Sequence, residues 1–250
     1  MSYCDFAEFY DILTEDIDYK SQAKYLLDLL FENGVSGGIL LDLACGTASL
    51  SIPLAKAGFD VVAVDESEDM LSVARAKIDE ASQGGILLLC QSMQELELYG
   101  TVDAAICMLD SLNHLDSFED VELALSKVSL FMNPDGIFIF DVNTPYKHSQ
   151  ILGDNTFVIE NEEVFCTWQN EYDVDENTVD MTLDFFKKCS KNNNYVRTTQ
   201  YITEKAYDID KILKLLYQIG FEIVAIYDDM SKQATDIKTE RAIFVARKVK

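Results

Sequence analysis

Three residues have the types and spacing to hold a particular kind of ligand. Asp42 sits near the end of an apolar, strand-like run, Ile39 to Leu43. Gly46 lies at the centre of the small-residue turn that follows. Asp65 ends a second apolar run, Val61 to Val64. Between them Ser49 to Ala57 is helix-compatible, and Gly58 stops it. This spacing predicts one β-α-β unit with a carboxylate at the tip of its second strand, a unit that binds adenosine-containing cofactors. An ionised carboxylate there can accept two hydroxyl hydrogens from one ribose. The blander role for Asp65 is an acid at the N-terminus of the next helix.

The turn narrows the choice of cofactor. It reads Asp42-Leu43-Ala44-Cys45-Gly46-Thr47-Ala48, so alanines replace the flanking glycines of a dinucleotide loop. No Gly-Lys-Ser or Gly-Lys-Thr occurs there, which excludes a Walker-type phosphate loop. Asp42 would repel a pyrophosphate but attract an ammonium or a sulfonium. The loop therefore suits a cofactor with an amino-acid end and no phosphate. The alternative is a plain strand-turn-helix of another α/β protein.

A second set of groups follows later strands. Asp110-Ser111-Leu112-Asn113-His114 comes after the apolar run Val102 to Met108. An imidazole titrates near neutral pH, so His114 is a candidate general base, or else a cap before the next helix. Asn143, Tyr146 and His148 follow the run Ile137 to Val142 and could face a substrate. Phe157, Trp168, Phe185 and Tyr201 are candidates for a pocket wall that excludes water, though such residues more often form a small sheet's own core. No His/Asp cluster has metal-ligand spacing, and no metal is expected.

The elements that must position these groups alternate. A helix is expected over Ser21–Phe31, strands over 39–43, 60–65, 86–90, 102–108 and 137–142, and helices over 48–57, 68–80 and 118–131. Asn133-Pro134-Asp135-Gly136 reads as a turn. Short all-apolar strands alternating with helices imply a parallel sheet covered on both faces. Its loops at 44–48, 65–70, 91–95, 109–116 and 143–147 would meet a ligand at the carboxyl ends of the strands. From Phe157 to Tyr201 strand-like pieces follow one another without helices, with Lys191 to Asn194 among their turns. Met181, Leu183 and Phe185 alternate with Thr182, Asp184 and Phe186, the pattern of an antiparallel sheet packed on one face. A helix over 208–218 and strands over 221–228 and 241–246 close the chain. The division expected is 1–146 with 202–250 as one domain and 147–201 as an inserted β subdomain. The insertion is a lid over the sheet edge, or an outward decoration or dimer surface.

These residues resemble a class I S-adenosylmethionine-dependent methyltransferase over roughly residues 1–145 and 201–247. The opening, Phe6-Ala7-Glu8-Phe9-Tyr10-Asp11 with Asp16-Ile17-Asp18-Tyr19, is similar to a bacterial branch with small-molecule or uncharacterised substrates. The resemblance implies a Rossmann-like α/β fold, a seven-stranded mixed sheet in the order 3-2-1-4-5-7-6 with helices on both faces, the last pair of strands antiparallel. It implies S-adenosyl-L-methionine as cofactor. Asp42, Ala44 and Gly46 would line its methionine end, with Cys45 and Thr47 beside them. Asp65 would hold the ribose, with Glu66 and Met70 nearby. Ser92 and Met93 would flank the adenine; the family often has an acid where this chain has Ser92. Leu109, Asp110 and Ser111 would touch the methionine end and face the substrate. Tyr10 and Tyr19 would fold over the cofactor, Tyr10 near the sulfonium, where cation–π attraction favours an aromatic ring. Alternatively, Phe6, Phe9 and Tyr10 only staple a helix to the sheet. Asp141-Val142-Asn143-Thr144-Pro145-Tyr146 superficially resembles the Asn/Asp-Pro-Pro-Tyr motif of nucleic-acid amine methyltransferases, but it has one proline and follows the fifth strand rather than the fourth.

Composition bounds the rest. The chain has 250 residues, 48% of them hydrophobic, enough to bury a full core. Its 44 acids against 20 basic residues give a formal charge of -24, which repels phosphate backbones and anionic membrane surfaces. No apolar run approaches a membrane span, and the N-terminus does not read as a signal peptide. The six cysteines form no CxxC pair, Cys90 and Cys107 reading as buried small hydrophobes, so a reducing cytoplasm is expected. The favoured activity is methyl transfer to an oxygen or nitrogen of a small molecule by a monomer or homodimer. A tRNA, rRNA or protein methyltransferase and a non-catalytic cofactor-binding regulator stand as alternatives.

Overall fold

Residues 4–162, 164–188 and 194–249 are described by a computed structural model. In chain order the elements are α1 (Cys4–Leu13), α2 (Tyr19–Glu32), β1 (Gly38–Leu43), α3 (Ser51–Lys56), β2 (Phe59–Asp65), α4 (Glu68–Glu80), β3 (Ile86–Cys90) and β4 (Val102–Cys107). There follow α5 (Phe118–Phe131), β5 (Met132–Asn143), β6 (Thr156–Glu160), β7 (Val164–Asp173), β8 (Thr178–Lys188) and β9 (Tyr195–Lys205). The chain closes with α6 (Ile209–Gln218), β10 (Phe221–Asp228) and β11 (Arg241–Lys248).

The main sheet has seven strands in the order β3-β2-β1-β4-β5-β11-β10. The first five are parallel, and β11 runs antiparallel between β5 and β10. Numbered without the insertion, this is the 3-2-1-4-5-7-6 arrangement of a Rossmann-like methyltransferase fold. The strand order turns outward on either side of β1 and β4, and the loops beyond their carboxyl ends flank the crevice where ligands bind in such sheets.

Two apolar layers hold the sheet between helices. On one face Leu41, Leu43, Phe138, Phe140 and Phe244 pack against Val121, Leu125 and Val128 of α5 and Ile212, Leu215 and Leu216 of α6. On the other, Leu40, Val61, Ile106, Ile139 and Val245 meet Leu26, Leu29 and Leu30 of α2 and Leu54 of α3. Strands buried on both sides explain the uninterrupted apolar runs.

Local chemistry sets several boundaries. Asp18 caps α2, its Oδ1 accepting from Lys20 N and Ser21 N at 3.1 Å, so the helix starts earlier than its apolar periodicity suggests. Ser67 caps α4, accepting from Met70 N at 3.2 Å. α3 begins only at Ser51, not at 48, because Ala48 is left-handed at φ 61°. The expected turn at Asn133–Gly136 lies inside β5 as a bulge: β4 pairs Val102 with Met132 and then Ala104 with Ile137. Gly136 is required there, since a Cβ would stand 2.9 Å from Asn133 O and 3.0 Å from Asp103 O. Cys107 is buried as expected, but Cys90 is exposed, because β3 is an edge strand and Cys90 lies at its tip. Cys189 and most of the expected turn at 191–194 lie outside the described residues, as does the side chain of Phe6.

The region after β5 forms a separate antiparallel sheet, β6-β7-β8-β9. Its inner face carries Val164, Cys166, Val179, Met181, Leu183 and Phe185, with Phe9 of α1 and Leu152 completing the cluster. Phe9 stacks on Phe185 with ring centroids 4.5 Å apart. The insertion therefore packs on α1 at the carboxyl edge of the main sheet. Tyr201 is 73% exposed and faces away from that cluster, so it forms no pocket wall.

Candidate cofactor and acceptor site

The β1–α3 loop folds as a tight cradle. Ala44 (φ 58°), Gly46 (φ 53°) and Ala48 are all left-handed, which turns the chain sharply at the strand end. Gly46 N–H donates to Asp65 Oδ2 at 2.8 Å, and Ser67 N–H to Oδ1 at 2.9 Å. Burial raises the Asp65 pKa, against those two hydrogen bonds. Asp65 thus sits at the tip of β2, joined to the loop from β1.

Asp42 is deeper. Its carboxyl is 3% exposed, and Ser51 Oγ donates to it at 2.5 Å. Burial pushes its pKa up to about 7, helped by the nearby Asp65 charge and opposed by Ser51. A cationic ligand group beside it would restore the charged form. A narrow cleft there is lined by Tyr10, Tyr19, Asp42, Ala44, Cys45, Thr47, Ser49, Leu50, Met108 and Leu109. Among the described residues the buried Tyr19 hydroxyl has no hydrogen-bond partner. An acid for an ammonium, an orphaned hydroxyl for a carboxylate and a strand-tip acid for a ribose fit S-adenosylmethionine. They would hold its methionine end and ribose, and the cofactor supplies an activated methyl group.

α1 closes the cleft from above. Tyr10 Cε1 would lie 3.7 Å from a Cβ on Gly46. Burial and the neighbouring acidic groups hold the Tyr10 phenol protonated. A latch fixes the helix. Lys77 Nζ of α4 donates to both oxygens of Asp11 at 3.0 Å, to Thr47 Oγ1 at 3.0 Å and to Ser49 Oγ at 2.7 Å. Thr47 Oγ1 also donates to Asp11 Oδ1 at 2.7 Å. Sequence reasoning singled out neither Asp11 nor Lys77 for this role, because a lysine in the last turn of a helix is ordinary there and carries no signal of a distant partner.

The remaining expected contacts spread around this centre. Met93 is half-buried after β3, its Sδ 4.0 Å from Cys107 Sγ, and Ser92 precedes it. Met70 is buried in the first turn of α4, while Glu66 is exposed and offers its carbonyl to Cys90 Sγ at 3.4 Å. Ser111 is buried and its hydroxyl bonds Met108 O at 2.8 Å, which keeps it in the loop's own scaffold.

The β4 exit carries a second, larger network. Leu109 and Asp110 are both left-handed, at φ 60° and 53°. Their N–H groups donate to Asp141 at 3.0 and 2.7 Å. Arg241 of β11 reaches Asp141 Oδ2 at 2.8 Å and Asp110 Oδ2 at 2.9 Å. Burial raises the Asp141 pKa and Arg241 opposes it; every hydrogen-bond partner of the carboxylate is a donor and so favours the ionised form. Burial would raise the Asp110 pKa, but Arg241, Lys147 and His114 bring it below the ordinary range. Asn143 Nδ2 donates to Asp110 Oδ2 at 2.6 Å and to Glu204 Oε2 at 2.8 Å. Glu204, near the end of β9, also meets His148 Nε2 at 3.2 Å.

His148 is 0% exposed, so it stands behind Glu204, placed to orient it rather than to touch a ligand. Tyr146 is half-buried before the π-helical turn Lys147–Leu152. His114 is exposed at the end of a 3-10 turn, Ser111–His114. Asp110, His114 and Glu204 each bring one ligand-type atom within 4.8 Å of the others. Spacing along the chain hides this group, since Glu204 comes from the insertion. A more readable signal was Asp141, a third acid near the end of a central strand, like Asp42 and Asp65.

A Rossmann-like sheet with a strand-tip acid and a loop lacking the glycines of a phosphate cradle is the arrangement of a protein that binds an adenosine-containing cofactor. Residues 40–136 match the model of a methyltransferase domain. A methyltransferase-family protein of Geobacillus sp. (strain WCH70) is 33% identical over 99% of this chain and 100% of its own length. The crystal structure of an S-adenosylmethionine-dependent methyltransferase from Clostridium acetobutylicum ATCC 824 superposes with a TM-score of 0.89. It is 32% identical and covers 99% of both chains. A glycine/sarcosine N-methyltransferase of Halorhodospira halochloris is 27% identical over 95% of this chain and 85% of its own. The chain belongs to the S-adenosylmethionine-dependent methyltransferases and is an enzyme of that class. No helix of the described residues is long and apolar enough to cross a membrane.

Proposed function

We propose that this enzyme transfers a methyl group to a nitrogen or oxygen of a small molecule, with the four-stranded insertion acting as a lid. The observation that carries this reading is the double cover over the sheet edge. α1 lies across the cofactor loop, and Phe9 stacks on Phe185 of the insertion at 4.5 Å. An enclosed acceptor end suits a small ligand, and enclosure keeps water from the transferred methyl group. The formal charge of -24 disfavours an RNA acceptor. Likeness to a glycine/sarcosine N-methyltransferase supports a small acceptor too. A cytoplasmic setting and a monomer or homodimer belong to the same reading.

The residues needed are few. A sulfonium methyl is already activated, so the protein must align a nucleophile and exclude water. The test is to incubate the protein with methyl-labelled S-adenosylmethionine and fractionated cell extract. Label in small metabolites is the expected result. Label in tRNA, rRNA or protein would replace the reading with a macromolecular acceptor. Cofactor binding without any transfer would make the chain a non-catalytic binding protein.

A further inference from the structure

The cluster of Asp110, His114 and Glu204 is not explained by cofactor binding. Asp110 follows Leu109, which lines the cleft, so the cluster adjoins the methionine end. Glu204 is only 6% exposed, yet its hydrogen bonds all fall on Oε2. Those of the Asp110 carboxylate all fall on Oδ2. One oxygen of each carboxylate is thus left without a hydrogen bond among the described residues, as is the His114 ring. Neither oxygen is sealed from solvent, so both are open to donors that a ligand brings.

Charge decides between a metal ion and an organic cation. The carboxylates of Asp110, Asp141 and Glu204 face the cations of Arg241 and Lys147, the latter 2.9 Å from Asn143 Oδ1. Counted against those two cations, the three carboxylates leave one negative charge over. That balances a monocation with several N–H donors and undercompensates a divalent metal.

We propose that Asp110, His114 and Glu204 form the acceptor subsite and that the acceptor is a primary or secondary amine, recognised as its ammonium ion. This rests on the methyl-transfer reading above. The ammonium donates to the two open carboxylate oxygens. It then gives one proton to His114, whose exposed ring passes it to water. The freed lone pair forms the nitrogen–carbon bond, and the carbon–sulfur bond breaks with its electron pair left on sulfur. The products are an N-methylammonium ion, a neutral thioether and one released proton. Asn143 and His148 are positioning residues that fix Glu204 Oε2 and leave Oε1 to the ligand.

The test uses a metabolite extract in two portions, one with its primary and secondary amines acetylated beforehand. Methyl-labelled S-adenosylmethionine and the whole protein are added to each. The proposal expects label in small molecules of the untreated portion and its loss on acetylation. Label that survives acetylation overturns the amine acceptor but keeps the methyltransferase reading. No label in either portion, with cofactor binding measured, removes both. Glu204→Gln keeps the shape, and the expected loss of transfer is about thirtyfold or more. Cofactor affinity should stay within about twofold. His114→Gln, at an exposed site, serves as a second variant if the first misfolds. A binding readout without turnover is the melting temperature of protein saturated with S-adenosylhomocysteine. Untreated extract should raise it and acetylated extract should not. Transfer that stops on dialysis against a chelator and returns with magnesium or manganese ions would make the cluster a metal site and overturn the proposal.

Discussion

The backbone N–H of Gly46 donates to Asp65 Oδ2 at 2.8 Å, so the loop after β1 and the tip of β2 are one hydrogen-bonded unit. The acid proposed to hold the ribose therefore also holds the loop proposed to line the methionine end. Asp65→Ala removes both functions. Losing a buried, hydrogen-bonded charged partner costs about 2–5 kcal/mol. Calorimetric affinity for S-adenosylmethionine should fall by at least one decade, and Asp65→Asn should fall less because it keeps an acceptor. Equal affinity in all three proteins would remove Asp65 from the site.

Arg241 lies between Asp141, which is fully buried, and Asp110. Arg241→Met leaves two carboxylates facing each other without their cation. Breaking a buried pair from one side typically costs about 3–5 kcal/mol. A large drop in melting temperature is expected, with partial recovery in the double variant Arg241→Met with Asp141→Asn. A melting temperature unchanged by the single substitution would show that Asp141 is neutral in the fold.

The legible part of this molecule is what lies within a few residues. The β1–loop–α3–β2 unit, Asp42 and Asp65 could be read because an apolar run, a turn and an acid are contiguous. The insertion could be read because Met181, Leu183 and Phe185 alternate with polar neighbours. What stayed hidden joins distant segments. Lys77 reaches Thr47 from α4, Arg241 reaches Asp110 across the sheet, and Glu204 enters from β9. No local pattern marks a lysine, an arginine or a glutamate for such a partner. Strand ends misled for a related reason: the bulge at 133–136 has turn chemistry, yet the sheet holds its flanks in register.

If Asp42 meets the cofactor's ammonium as proposed, binding is expected to depend on pH. Its pKa in the fold is raised to about 7 from 3.8. The stability it contributes is complete below the unfolded value and is lost as pH rises toward 7. The Asp42→Asn variant without cofactor should therefore gain on the parent protein over that window in thermal melts. Binding has the opposite sense, since an ammonium favours the ionised form. Affinity for S-adenosylmethionine should rise between pH 6 and about 7.5 and level off as the cofactor's own amine titrates near 8. Titrations in buffers of different ionisation enthalpy should detect proton release near pH 6.5. Affinity flat across that range would place the amino group away from Asp42.

Lys77 and Asp11 form the latch that seats α1, with N–O distances of 3.0 Å and roughly a third of each side chain exposed. Because both partners are partly solvated, the ion pair itself contributes modestly, about 0.5–1 kcal/mol. The hydrogen bonds from Lys77 to Thr47 and Ser49 add to it and tie the same helix to the cofactor loop. Lys77→Met should leave global melting within a few degrees while speeding amide hydrogen exchange across residues 7–13 several-fold. High salt should speed exchange there in the parent protein and change little in the variant, since only the parent has a pair to screen. Cofactor association should become faster if α1 gates entry to the cleft. Exchange in α1 that is indifferent to both Lys77→Met and salt would sink the latch and leave Phe9 on Phe185 as the contact that holds the helix.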